Sequence, residues 1–343
     1  MRNRLSLLLI LLAQHTFSQP YIIEALDAPK DTHFRGLSVV DDNVAWVSGT
    51  KGWVGVTIDG GKTWSFNQIK DFGKFDFRTL YGFNGETAIA ANAGSPASVL
   101  RTTDGGKTWK VIYKNEHKDA FFDGVDFWND KEGIIYGDPI DSKMLLLKTT
   151  DGGVTWKEFP EGSRPVLSEG EASFAASGTG IRCVVPDKII ITTGGKASRV
   201  FVSEDKGNSW KTLQPPVLQG GTMTGMYSVA FLNAKDGIVV GGDYERDSLA
   251  VNHIFYTNDS GKTWHAPVKP TRGLRECIEY ISPTELISTG LPGSDYSTDG
   301  GKTWLPLSDE RNIYVVRKAR RGSLILMCGA SGKLKRLHKV AQK

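Results

Sequence analysis

The side chains with the most chemistry in this sequence recur at one level of a repeated pattern. Arg35, Arg78, Asp123 and Tyr227 each stand early in a short, largely apolar stretch: Phe34-Arg35-Gly36-Leu37, Phe77-Arg78-Thr79-Leu80, Phe122-Asp123-Gly124-Val125 and Met226-Tyr227-Ser228-Val229. Arg275 or Glu276 falls at that level in a further stretch, and Tyr314 or Val315 in another. A guanidinium presents a planar fork of donors that matches a carboxylate or a phosphate in two-point contact. A carboxylate beside it could serve as an acid or base. Such a ring can hold an acidic ligand, or its charges can neutralise one another across a water-filled channel.

One irregular stretch and two loops add candidates. Glu171 lies in a run of small residues, Glu169 to Gly178. Asp138 follows Gly137, and Asp243 follows Gly241-Gly242. Loops on a rigid scaffold are the usual carriers of function. The binding set is therefore Arg35, Arg78, Asp123, Asp138, Glu171, Tyr227, Asp243 and Arg275, with Asp123 and Glu171 as the candidate catalytic carboxylates. Asp141, Glu245 and Asp247 read as solvated loop residues. His33, His117, His253 and His265 have no metal-like spacing with Cys or carboxylates, so neither a metal nor a cofactor is expected. Gly61-Lys62-Thr63 and its sister triplets resemble the end of a phosphate-binding loop. The required upstream glycine is replaced by Val56, Arg101, Tyr256 and Tyr296, and a strand-forming Trp follows in place of a helix.

The elements that must position these residues come from internal repetition, which fixes architecture. Six octets fit Ser/Thr-x-Asp-x-Gly-x-Thr/Ser-Trp without a gap: Thr57–Trp64, Thr102–Trp109, Thr149–Trp156, Ser203–Trp210, Thr257–Trp264 and Ser297–Trp304. The Asp carboxylate can accept backbone amides just after it, and the Gly takes a positive φ at no steric cost. The Thr and Trp suit the start of a half-buried strand. Asp59, Asp104, Asp151, Asp205, Asp259 and Asp299 are accordingly structural. Their spacing of about 40 to 54 residues suits a four-stranded unit. Each unit reads as an apolar strand, a polar turn, a second strand ending mostly in Gly, a third strand, the octet, and a fourth strand opened by Trp. A seventh unit starts at Ile313 and lacks its fourth strand. Tyr21–Ala25 can supply it, closing a ring and removing its open edges. The sequence predicts an all-β fold: a seven-bladed β-propeller of four-stranded antiparallel blades, the last closed by the N-terminal strand.

These octets resemble the Asp-box of BNR (bacterial sialidase-type) repeats. In that family the box joins the two outer strands of a blade, on the rim. Along nearly the whole chain the pattern is most similar to the photosystem II stability/assembly factor family and its secreted bacterial relatives. That resemblance implies seven blades and a protein partner bound on an Arg-bearing face. The sialidases are a more distant resemblance. Phe34-Arg35-Gly36-Leu37 keeps the Phe-Arg of their Phe/Tyr-Arg-Ile-Pro motif and lacks Ile-Pro. Membership there would imply hydrolysis of an acidic glycan, with Arg35, Arg78 and Arg275 as carboxylate ligands and Asp123 or Glu171 as acid/base.

Arg2 and Arg4, an apolar run from Leu5 to Ala13 and the small residues Thr16 and Ser18 form a secretory leader, 1–18, too short to anchor in a bilayer. The chain from 19 to 343 is expected to be one propeller domain, secreted or periplasmic. Lys and Arg exceed Asp and Glu by only four, and part of that excess lies in the leader. No basic block remains, so nucleic acid is not an expected partner. No other stretch is apolar enough for a membrane span. Three cysteines cannot make a framework, although Cys277 and Cys328 fall in neighbouring repeats and could pair. The reading is a monomeric binding or assembly scaffold for a protein, an acidic small molecule or a glycan, with a sialidase-like glycoside hydrolase as the alternative.

Overall fold

The computed structural model describes residues 20–340, so the expected leader lies outside the described residues. The chain folds into seven antiparallel sheets arranged as a propeller. Blade one comprises Phe34–Val39, Ala45–Gly49, Trp53–Thr57 and Ser65–Gln68. Blade two comprises Asp76–Gly82, Ala88–Ala93, Ala97–Thr102 and Lys110–Asn115. Blade three runs from Phe122 to Glu158, blade four from Ile181 to Leu213 and blade six from Cys277 to Ser308. Blade seven has three C-terminal strands, Ile313–Lys318, Ile325–Gly329 and Leu334–Lys339. Its fourth is Tyr21–Ala25, in register Tyr21 to Lys339 through Ala25 to Lys335. The closure read from the missing last strand is therefore formed.

Blade five departs from the pattern. Thr224–Phe231, Gly237–Asp243 and Ile254–Thr257 form its sheet, and its outer edge is reduced to a single bridge between Tyr256 and His265. Pro267, two residues on, has no N–H to extend that ladder. On the channel side the same sheet gains two short strands, Gly194–Gly195 and Glu171–Ala172. The inner strand of blade six also starts later than the repeat suggests, at Cys277. The preceding residues pair elsewhere: Leu274 N–H donates to Asp247 O and Arg275 N–H to Gly241 O.

The octets form one recurring turn. At Asp59, the Thr57 hydroxyl and the Thr63 amide donate to Oδ1 at 2.8 and 2.9 Å, and the Thr63 hydroxyl donates to Oδ2 at 2.6 Å. Gly61 N–H donates to Thr57 Oγ1, with Gly60 and Gly61 at φ 76° and 87°. The same bonds recur around Asp104, Asp151, Asp205, Asp259 and Asp299. The tryptophans wedge between blades. Trp64, Trp109 and Trp304 donate their indole N–H to the octet's own glycine carbonyl at 3.2, 3.2 and 3.0 Å. Cys277 and Cys328 are buried and free, their thiols directed at the carbonyls of Val316 and Phe34, so the pairing left open by the sequence is not made.

Hydrogen bonds from the Thr or Ser four residues on hold Asp59, Asp104, Asp205 and Asp259 down to about 2. A depressed carboxyl pKa contributes stability that is complete above the unfolded value of about 4 and is lost as pH falls towards about 2. The midpoint of urea unfolding should drop across that window. Asp299→Ala, which strips four donors of their acceptor, should cost about 1–2 kcal/mol, read from the same titration. Deleting 21–25 exposes the edge of Leu334–Lys339. It should lower the melting temperature further and promote self-association, read by calorimetry and light scattering.

Candidate functional site

The inner strand of five blades carries one residue too many. In blade one Phe34 pairs with Gly49 and Gly36 with Ser48, which leaves Arg35 unpaired as a β-bulge. The same slip isolates Arg78 between Phe77 and Thr79, and Asp123 between Phe122 and Gly124. It isolates Tyr227 between Met226 and Ser228, and Tyr314 between Ile313 and Val315. A bulge bends the strand and re-aims its extra side chain. The carbonyl before each bulge then crowds the end of the second strand. A Cβ on Gly137 would lie 1.8 Å from Phe121 O, and one on Gly329 2.1 Å from Asn312 O. This close approach is why the second strands end in Gly. Blade two has Asn92 instead, whose amide ties Gly94, Pro96 and Ser98 of the following loop.

The bulges open on a pocket of about 300 Å³ at one mouth of the channel. Arg35, Arg78, Asp123, Asp138, Tyr227 and Glu276 line it, with apolar walls from Phe121, Phe174, Met223 and Tyr244. Arg35 donates to Glu276 Oε1 at 3.0 Å and to Ala176 O at 2.8 Å, and lies 3.7 Å over the Tyr314 ring. Arg78 spends only its Nε, on Asp76 at 2.6 Å. Both its Nη groups lack a partner among the described residues. Tyr227 stacks on Phe174 with ring centroids 4.1 Å apart and donates its hydroxyl to Met223 O.

The carboxyls are unequal. Asp123 is fully buried and neither of its oxygens has a hydrogen-bond partner. Burial, then the charge of Asp138, push it well above the usual carboxylate range against the pull of Arg78. Burial also pushes Asp138 up to about 6, although Ser173 N–H donates to its Oδ1 at 2.9 Å. Glu276 is raised by burial and opposed by Arg35. The seat thus combines one open guanidinium, one carboxyl whose neutral form is favoured by burial, one that titrates near pH 6, and aromatic walls.

Three residues of the candidate set lie elsewhere. Arg275 is fully buried and points away from the channel. It donates to Leu274 O and Arg272 O and pairs with Asp295. Glu276 occupies the ring level in blade six, so the seat has two arginines, not three. Glu171 is sealed off by Arg199, whose Nε donates to both carboxylate oxygens at 3.0 Å, and by the Ser168 amide. It fastens the connector between blades three and four and does not line the mouth pocket. Asp243 caps the loop after it, accepting the amides of Glu245 and Arg246 and the Arg246 Nε; its neighbour Tyr244 lines the pocket. Phe174, Ala175 and Ala176 reach the seat from the small-residue connector, whose composition was the only sequence signal for them. Met223 and Phe121 had none.

Comparison with known proteins accords with this architecture. The family model described as photosynthesis system II assembly factor YCF48 matches residues 16–117 and 92–165. No curated protein matches the chain in sequence. Among solved structures, "YCF48 bound to D1 peptide" aligns with a TM-score of 0.69 at 16% identity, covering 95% of this chain and 98% of that one. YCF48 from Cyanidioschyzon merolae gives 0.66 at 19% identity over 92% and 98%. A GH74 xyloglucanase from Xanthomonas campestris gives 0.62 at 16% identity, over 91% of this chain and 53% of that one. At these identities the structural matches speak to the fold alone. The octets, the ring of seven blades and the matched segments identify the chain as a BNR-type β-propeller allied with the photosystem II assembly factor family.

Proposed function

We propose that the chain is an exported scaffold that binds a protein partner at the channel mouth, seating an acidic segment of that partner on Arg78. The observation that carries this reading is a guanidinium with both Nη groups unspent, beside the buried carboxyl of Asp123 and between aromatic walls. Such a seat can fork a ligand carboxylate on Arg78, and Asp123, in the neutral form that burial favours, can donate to the same ligand, while Phe174, Tyr227 and Tyr244 cover the adjoining apolar part. A propeller of similar structure, YCF48, is known with a D1 peptide bound, which supports peptide binding as a use of this fold. The basic, apolar leader in the sequence supports export, and a ring closed on itself by Tyr21–Ala25 supports a monomer.

One observation favours a second reading. Two carboxyls with raised pKa values in one pocket, Asp123 and Asp138, form the kind of pair that acid–base catalysis uses. On that reading the chain is a sialidase-like hydrolase of an acidic glycan, with Asp123 as the acid and Arg78 holding the sugar carboxylate. Glu171, locked on Arg199, has no part in it.

Calorimetric titration with acidic peptides and acidic oligosaccharides separates the two. The scaffold reading expects peptide binding that Arg78→Ala weakens by about tenfold or more, the worth of a charge-assisted fork, with no sugar released. Turnover of a glycan, lost in Asp123→Asn, would replace it with the hydrolase. Binding should also depend on pH. Asp138 is neutral below about 6 and charged above it, so an anionic ligand should bind more tightly at pH 5 than at pH 7.5. Asp138→Asn should flatten that profile. The sign for stability is the same: the folded chain holds this proton more tightly than the unfolded chain, so Asp138 subtracts stability as pH rises from about 4 through about 6.

A further inference from the structure

Three residues beyond the mouth level, the inner strands of blades one, two, three, six and seven carry a second set of side chains: Ser38, Tyr81, Asp126, Glu279 and Arg317. Arg182 joins them from the inner strand of blade four. These residues meet across the channel. Arg182 of blade four donates to Glu279 of blade six at 3.2 Å, passing over blade five, and Arg317 of blade seven donates to the same oxygen at 3.3 Å. One carboxylate oxygen thus stands between two guanidiniums.

The remaining negative charge is spent. Asp126 accepts the amides of Phe127 and Cys183 at 3.0 and 2.8 Å. Arg320 adds a third cation close by, held over the Tyr81 ring at 4.2 Å and on Ser38 Oγ. Three guanidiniums therefore face two carboxylates. Burial, then the charge of Arg317, hold the Arg182 guanidinium below its usual range, whereas Glu279 and Asp126 hold Arg317 above its own against burial. The Nε and Nη2 of Arg317 and the Nε of Arg182 take no partner among the described residues. The two side chains keep 17% and 12% of their surface, so solvent reaches them.

We propose that this inner ring binds a small tetrahedral oxyanion of the phosphate or sulfate class between Arg182 and Arg317, admitted from the channel face opposite the mouth. An oxyanion there accepts the unspent donors and relieves the repulsion between the guanidiniums, at a level of the channel separate from Arg78. Glu279 is its competitor for the same forks. Phosphate binding and the mouth reading stand or fall independently, because the two sites share no residue.

The test is calorimetric titration of the full chain with inorganic phosphate and with sulfate, against acetate and chloride at matched ionic strength. Wild type should bind phosphate and sulfate and ignore acetate and chloride. Arg182→Gln and Arg317→Gln should each weaken phosphate by about tenfold or more. Glu279→Gln should do the reverse and tighten it, since the competing carboxylate is gone. Arg78→Ala should leave phosphate binding unchanged. Melting curves in chloride alone confirm that each variant is folded. The proposal fails if wild type shows no phosphate binding above chloride, if Glu279→Gln weakens it, or if Arg78→Ala alone abolishes it.

Discussion

A single backbone constraint shapes the centre of this propeller: in five of the seven blades the inner strand is one residue longer than the strand it pairs with. The surplus residue cannot join the ladder, so its side chain turns into the channel mouth. Its preceding carbonyl turns the other way, into space that only a glycine leaves free. Gly137 and Gly329 are therefore part of the same device as Asp123 and Tyr314, although they do not line the mouth pocket. The bulge fixes where chemistry can be placed, while the residue at the bulge decides which chemistry it is. Two arginines, an aspartate and two tyrosines at that level give this chain a polar seat with one open cation.

The outer part of each blade answers a different demand. A hairpin at the rim has little packing to hold it, and the octet replaces packing with hydrogen bonds to one carboxylate. The apolar work is done between blades, where Trp46 meets Trp109 edge to face and Tyr81 packs on Phe127. Burial of the large aromatic surfaces between blades stabilises the ring. The octets set the turn that delivers each Trp to that interface.

Much of this was legible in the chain itself, and the reason is repetition. Counting from one octet to the next aligns Arg35, Arg78, Asp123 and Tyr227, and the structure sets those four around one pocket because all four are bulges in equivalent strands. The count fails where the repeat is interrupted. In blade six, Leu274 and Arg275 hydrogen-bond to blade five, so the register between Arg275 and Glu276 could not be read from spacing. Glu171 looked available because its partner Arg199 lies 28 residues away, in a segment with no repeat to compare. Phe174 was invisible for the same reason, since its role exists only in the stack on Tyr227. Local patterns carry turns and strands; a contact between distant, unrepeated segments leaves no local mark.

Tyr21–Ala25 is the first strand to be synthesised and the last that can find its place, because Leu334–Lys339 is made at the other end of the chain. Until then the first strand has no sheet to join and the last blade has an open edge. Pairings of such long sequence separation are slow to form. The ring therefore behaves as a clasp: blades can assemble in succession from either side, but the circle becomes a closed, cooperative body only in the final step. A chain that is cut or stalled before that step is a row of blades with two bare ends, not a smaller propeller.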